Sequence, residues 1–526
     1  MPNSSGGKSN GTRVIALVGP AGAGKTSLAE AMLFAAGTTE RLGSTAHGTS
    51  IGDNSPESRA RGGSTELNLY NFDYLGDDFA IIDCPGSVGF AADGTRALAT
   101  ADVGIVVVDP DPARAPLAAP ALRALDELGI PHLIFVNRID QAHGRIRDLL
   151  SALQPMSVSP LIARQIPIRE GDKITGFVDL ALERAFHYRP GKESERIEIP
   201  AELQDQEIKA RTQMLEMLAD HDDELLEQLL MDETPSPEKI FEDLARETGE
   251  SLGVPLLFGS AISSWGVRRL LKALRHEAPG PDASATRLGV TDPSLYVFKV
   301  VHGSIGRLVM ARAVGGTIAE GSDLKTTDGD VRIGAMFKVQ GEKTQKITEA
   351  KKGDVVALAK LDGVKAGEWL AKGKLPPHVE IDYPARNCAF AIEPADRKDD
   401  VRLSGAIHRL LEEDGALVLE QDDANHEMRI RGVNDEHLNT VLAKLKRRYG
   451  VEVKAHPPVV GYRESLRRSV TQKGRHKKQS GGHGQFGVAM LEVEPLPGGT
   501  GFEFVDEIKG GSIPRQFIPA VEQGIA

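Results

Sequence analysis

The chain has 526 residues, which at about 150 per domain implies three to four domains and excludes a single small module. Apolar residues make up 40% and charged residues 26%, enough to bury several cores, so disorder over most of the chain is excluded. Lysine plus arginine (63) against aspartate plus glutamate (75) leaves a net charge of −12, so affinity for nucleic acid has to come from a local basic patch. Cys84 and Cys388 are far apart and in no CxxC pair, which rules out a disulfide framework or a cysteine zinc cluster and points to a reducing cytosol. No stretch reaches the ~18 uninterrupted apolar residues of a membrane span, and no apolar core precedes Val14, so residues 1–12 read as a flexible tail and the chain as soluble and cytoplasmic.

In chain order, the apolar run Val14 to Val18 predicts a strand, Gly19 to Gly24 a turn and Thr26 to Phe34 a helix. Strands follow at Phe79 to Ile82, Val103 to Val108 and Leu133 to Val136, with a helix over Ala115 to Leu128, the alternation of a parallel α/β sheet. Another strand, Pro255 to Phe258, comes after an interruption at about 146–248 that holds strands near Ile168 and Ile174 and a charged helical stretch, Glu202 to Met231. The interruption reads as an inserted subdomain, closing a first domain at 13–283 with a linker at Ala278 to Asp282. Short alternating runs between turn signals from Leu295 to Leu370 predict a small antiparallel barrel, domain 288–380. From Arg386 to Val453 the order strand, helix, strand, strand, helix, strand predicts a ferredoxin-like domain, 385–456, followed by the start of a further α+β domain at 457–526.

Gly19-Pro20-Ala21-Gly22-Ala23-Gly24-Lys25-Thr26 matches GxxxxGK[ST] between a strand and a helix, the context a phosphate-binding loop requires. Backbone N–H groups would face the phosphates, Lys25 would meet the β and γ oxygens, and the Thr26 hydroxyl would bind Mg²⁺. Asp83-Cys84-Pro85-Gly86 ends a second strand, putting a carboxylate near the metal and the Gly86 N–H near a γ-phosphate. Asn137-Arg138-Ile139-Asp140 ends another, with Asp140 set to accept two donors of a guanine and Asn137 to tie loops together. Ser260-Ala261 follows the late strand, where a backbone N–H would meet the guanine oxygen. Each motif is weak alone; four in this order, each after a predicted strand, favour GTP over ATP.

On these motifs the sequence resembles the translational GTPases, and within them bacterial elongation factor G, over nearly its whole length. Val301 to Ser322 resembles the family's barrel, Arg429 to Leu438 its third domain, and Pro458 to Glu464, Gln479 to Gly487 and Gly499 to Ile518 its fourth. The resemblance implies a multidomain α/β architecture: a P-loop GTPase domain with an insertion, then a barrel, a ferredoxin-like domain and a partial fourth domain. It implies GTP or GDP with Mg²⁺ as cofactors, a monomer, and a ribosomal partner of rRNA and ribosomal proteins, with nucleotide state coupled to translocation. Arg61-Gly62-Gly63-Ser64 falls where the family has Arg-Gly-Ile-Thr in its first switch, so Ser64 would be the hydroxyl that closes on Mg²⁺.

Departures from the family bear on hydrolysis. Ser87 stands where the family's water-positioning histidine stands, and a serine is shorter and carries no positive charge. Gly22 replaces an aspartate beside the phosphates, Ser64 a threonine, and Arg138 the lysine of NKxD. Binding residues stay while hydrolysis residues change, so GTP binding is expected, with catalysis resting on Lys25 and on whatever Ser87 supplies. Two alternatives follow: a non-hydrolysing, GTP-dependent ribosome-binding factor, or a ribosome-protection or recycling GTPase. The chain stops inside what resembles the fourth domain, read as a fragment or a shortened paralogue.

Arg463, Arg467, Arg468, Lys473, Arg475, Lys477 and Lys478 form the strongest basic cluster, expected to meet RNA phosphate. The acidic run Asp220 to Glu224 is expected to face basic proteins or solvent, and His437 to be a packed histidine.

Overall fold

Arg13–Val18 forms strand β1, buried along its whole length, as the almost unbroken apolar run requires of a strand covered on both faces. The computed structural model describes residues 11–525 except 53–54, 190–191, 304–305, 342, 424, 462–465, 480, 483 and 498–499. They fall into two compact units, one running to Pro458 and one from Val459.

In the first unit β1 is flanked by β2 (Asn68–Tyr74), β3 (Asp77–Asp83), β4 (Val103–Val108), β5 (His132–Val136), β6 (Leu161–Ala163) and β7 (Val254–Phe258). The sheet order is β2-β3-β1-β4-β5-β7-β6, parallel throughout except for β2 against β3. The sequence reading missed β2 because its residues mix polar and apolar, as a strand at the sheet edge does. The expected helix over Ala115 to Leu128 is instead a 3-10 segment, Pro112–Ala118, followed by an α-helix, Ala119–Glu127; Pro116 lies inside the first and a proline opens the second. The expected linker also contains structure, since Pro281–Arg287 is helical with proline in its first turn.

The insertion has its own antiparallel sheet (165–170, 173–179, 184–187, 195–197) and three helices over one apolar core. Its first strand, β6, joins the main sheet instead. The charged stretch 202–231 breaks into two helices, because Asp222 caps the second by accepting from the Leu225 N–H at 2.8 Å. Asp222 also accepts from Lys239 and Arg246, at 2.9 and 2.8 Å, and these bonds hold its carboxyl well below the usual range. The acidic run is thus partly committed inside the insertion. Buried charges fasten the insertion to the helix Val267–His276 and the residue after it: Asp179, fully buried, pairs with Arg269, and fully buried Arg164 pairs with Glu277.

The barrel follows as an eight-stranded sheet, antiparallel at every pairing, around its own core. It joins the first domain through Arg312, whose Nη2 donates to both oxygens of Asp102 at 2.7 and 2.8 Å with both side chains fully buried. Asp102 also accepts from the Val14 N–H. Asp102→Ala strands the guanidinium in the interior, so about 3–5 kcal/mol of stability is lost. Urea unfolding checks this, and a loss under about 1 kcal/mol would show the pair to be dispensable. Residues 388–456 give the expected βαββαβ succession, with four antiparallel strands and two helices over one core. His437 is 2% exposed and bonded at both ring nitrogens, to Asp414 and to the Val433 N–H, a packed histidine as expected.

In the second unit Val470–Lys478 and Gln485–Val493 form a hairpin, and Ile518–Ile525 a short helix. Lys473, Arg475 and Lys477 alternate along an exposed strand, with Arg475 over the Phe486 ring. Arg463 lies outside the described residues.

Candidate functional site

Because β1, β3, β5 and β7 run parallel, the loops that follow them all open at one edge of the sheet, the carboxyl edge where open α/β sheets hold ligands. The four motifs therefore converge although they are scattered through the sequence.

After β1, residues 19–24 turn into helix α1 (Lys25–Ala35), which has no side-chain cap and no acidic residue in its first turn. The positive end of its dipole therefore suits an anion. Lys25 is 7% exposed, and its Nζ donates to the carbonyls of Gly19 and Pro20 at 2.9 Å each. Gly86 comes up against this ammonium: a Cβ there would lie 2.2 Å from Lys25 Nζ and 2.6 Å from the Gly19 carbonyl, so the second loop can approach the first only as glycine.

Thr26 Oγ1 donates to Asp83 Oδ2 at 2.6 Å and lies 3.3 Å from Ser64 Oγ. Asp83 is fully buried. Two hydroxyls in front of a carboxylate are a hard-oxygen set that suits Mg²⁺ together with phosphate oxygens. Among the described residues no group of three or more His, Cys, Asp or Glu side chains is placed to hold a metal by itself.

Asn137 ties three loops at once. Its Nδ2 donates to the Ala23 carbonyl, and its Oδ1 accepts from the Arg138 and Ala261 N–H groups, all at 2.9 Å. Arg138 adopts the left-handed conformation, φ 59°, and its guanidinium reaches Asp109, which also pairs with Arg114. Asp140 is exposed, in the 3-10 turn Ile139–Gln141 that follows β5. The Ser260 N–H donates to the Trp265 carbonyl and the Trp265 N–H returns to Ser260, closing a small loop around Ala261. Ser87 is half-buried, with its carbonyl accepting from the Phe90 N–H. Cys84, between Asp83 and Pro85, is buried, and desolvation keeps its thiol protonated, far from a nucleophile.

Sequence reasoning missed the charged residues that hold the segment around Ser64 against the ferredoxin-like domain. Helix α2 (Pro56–Arg61) and the residues after it pair with one helix of the ferredoxin-like domain, α3 (Asp435–Tyr449). Glu57 meets Arg447 at 2.7 Å, Arg61 meets Glu436, and Glu66 meets Lys444 at 2.5 Å. Lys444 holds the Glu66 carboxyl well below its ordinary value. Positions 436, 444 and 447 share a helix face, a periodicity visible in the sequence, but their partners were not.

The sheet, its phosphate-type loop and the loops gathered beside it define a P-loop GTPase domain, here followed by a barrel and two α+β domains. The Elongation factor Tu GTP binding domain family matches residues 10–280, Elongation Factor G domain III residues 383–457, and Elongation factor G domain IV residues 458–526. An elongation factor G-like protein of Synechocystis sp. is 38% identical over 98% of this chain and 77% of its own length. Elongation factor G of Thermotoga petrophila is 32% identical over the same shares. A crystal structure of a Thermus thermophilus protein superposes with a TM-score of 0.87 at 30% identity, covering 98% of this chain and 77% of that one. The chain belongs to the elongation factor G-like translational GTPases. It is thus a GTP-binding protein of translation, and no helix among the described residues is long and apolar enough to cross a membrane.

Proposed function

We propose that this chain binds GTP at the carboxyl edge of its first sheet, docks on the ribosome in the cytoplasm as a monomer, and couples nucleotide state to translocation through its later domains. The observation that carries this reading is the Asn137 side chain joining Ala23, Arg138 and Ala261, which brings the phosphate loop and the two base-side loops into one site. Phosphate oxygens would take over the Lys25 ammonium from the Gly19 and Pro20 carbonyls, and the Gly86 N–H would meet the γ-phosphate. Thr26 and Ser64 would hold Mg²⁺ with Asp83 behind them, and the ion when bound would offset charge on the phosphates. Asp140 would accept the guanine N1 and N2 donors, and the Ala261 N–H, given to Asn137 here, would be shared with the guanine oxygen.

Segments 13–283, 288–380, 385–456 and 457–526 serve as the working domains of this reading. Ion pairs from Glu57, Arg61 and Glu66 to α3 supply a route by which rearrangement of the first switch would be felt in the ferredoxin-like domain. The exposed strand with Lys473, Arg475 and Lys477 offers a phosphate-binding edge, so its affinity for RNA falls steeply with salt.

A second reading, a non-hydrolysing GTP-dependent ribosome-binding factor, is favoured by Ser87 and Gly22. Turnover of GTP with and without purified ribosomes separates the two: strong stimulation supports the enzyme, and tight binding without stimulated turnover supports the binding factor. Asp140→Asn moves base preference from guanine toward xanthine by at least about tenfold, since the replacement amide offers a donor where xanthine carries an oxygen. Competition between GDP and XDP measures it, and an unchanged preference would sink the assignment of Asp140.

A further inference from the structure

The loop Ser260–Trp265 is short, and its two ends rest on aromatic rings supplied by the insertion. Before the loop, Phe258 at the end of β7 meets Phe177 edge-on, ring centroids 6.5 Å apart. After it, Trp265 lies flat against Tyr188, with centroids 4.9 Å apart and planes 1° from parallel. Tyr188 and Phe177 touch each other at 5.6 Å, and Phe177 stacks in turn on Phe186, so four rings in series run from one end of the loop to the other with a fifth behind them.

The backing is stiff. Tyr188 is 3% exposed, and its N–H donates to the Thr175 carbonyl inside the insertion's sheet. Trp265 is bound to Ser260 by two backbone hydrogen bonds, 3.0 and 2.9 Å, so a shift of its ring moves the peptide next to Ala261. Neither the Tyr188 hydroxyl nor the Trp265 ring N–H has a hydrogen-bond partner among the described residues, although both atoms are buried. The contact is therefore ring on ring, with no polar bond to orient it.

From this geometry we propose that Tyr188 is a positioning residue for purine selection: its ring, carried by the insertion, holds Trp265 and through it the Ala261 N–H where a purine 6-oxo group is read. The inference rests on the guanine reading of this edge proposed above. The link from this stack to the phosphate loop is indirect, through the Ala261 N–H on Asn137 Oδ1, while Asn137 is also held by the Arg138 N–H and the Lys25 ammonium by the Gly19 and Pro20 carbonyls. Loss of the Tyr188 ring consequently affects recognition of the base far more than recognition of the diphosphate. A residue that merely filled the core would change both or neither.

The test compares GDP and ADP affinities of the full chain by competition with a fluorescent guanine nucleotide, for the wild type, Tyr188→Leu and Tyr188→Phe. Tyr188→Leu keeps an apolar side chain without a face to stack, so GDP affinity falls about fivefold to tenfold while ADP affinity stays within about twofold. Tyr188→Phe retains the ring and discards a hydroxyl that bonds to nothing among the described residues, so it matches the wild type on both nucleotides. Should Tyr188→Leu fold poorly by circular dichroism, Trp265→Phe, which shortens the stack without emptying it, is measured in its place and shows the same selective loss to a smaller degree. Folded Tyr188→Leu, or Trp265→Phe in its place, with GDP affinity within about twofold of the wild type overturns the inference, as does equal loss for both nucleotides. A wild type with no preference for GDP over ADP overturns the guanine reading as well, and so separates the two failures.

Discussion

Lys25→Met lowers affinity for GTP by about a hundredfold to a thousandfold, and for GDP, which has no γ-phosphate, by less. A charge-assisted hydrogen bond is worth about 1.5–3 kcal/mol, and an ammonium serving the β- and γ-phosphates makes at least two. The structure identifies the group concerned: Lys25 Nζ is nearly buried and donates to the Gly19 and Pro20 carbonyls, which orients it toward the inside of the phosphate loop. Methionine keeps the length and apolar stem, so the packing of α1 is retained and the loss is electrostatic. Equilibrium binding of a fluorescent, non-hydrolysable GTP analogue measures it. Affinity within about threefold of the wild type would show that the loop does not bind phosphate.

Ser87→His raises ribosome-stimulated GTP turnover by about a hundredfold, with little change in nucleotide affinity. A positioned proton-transfer or water-orienting group contributes about 10²–10⁴ to rate, and a serine supplies neither the reach nor the charge of a histidine. The segment is set up to present a longer side chain, since Gly86 fixes the preceding peptide against Lys25 and Ser87 itself is half-buried at the start of a turn closed by the Phe90 N–H. Turnover per ribosome, measured with affinity on the same samples, decides the matter. No gain would shift attention to Gly22, where φ is +76° and a Cβ would meet nothing within 4 Å. Aspartate has room at that position but must hold a left-handed backbone, at a cost of about 1 kcal/mol.

Neither substitution could be chosen from the fold alone. Both come from residues that the sequence already marks, and the tertiary structure supplies the reason that each change can be read cleanly.

Several elements escape a reading of the sequence for identifiable reasons. Strand β2 turns back from β3 through Leu75 and Gly76, both at positive φ, 53° and 86°, the two-residue turn that twisted hairpins favour. Asn-Gly would have announced that turn, whereas leucine at its first position conceals it. Helix α2 is only six residues long, and its signals, a serine cap and a proline in the first turn, are equally those of an irregular loop. The split of the charged stretch 202–231 turns on whether Asp222 faces solvent or caps a helix, and that depends on Lys239 and Arg246 folding back beside it.

The strands β1, β3, β4, β5 and β7, the phosphate loop, the order of the four site motifs and the βαββαβ domain are legible in the order of the residues. These depend on neighbouring residues: an apolar run that must be covered on both faces, a glycine where backbone approaches backbone, an apolar period that changes from strand to helix. That Asn137 binds Ala23 and Ala261 together, that Glu57, Arg61 and Glu66 meet one face of α3, and that Tyr188 lies on Trp265 is visible once the chain is folded. Those pairings join residues remote in the chain, and no local preference favours one partner over another. They form because a parallel sheet brings its loops to one edge, and because a charge or a ring carried into the interior has to find its complement there.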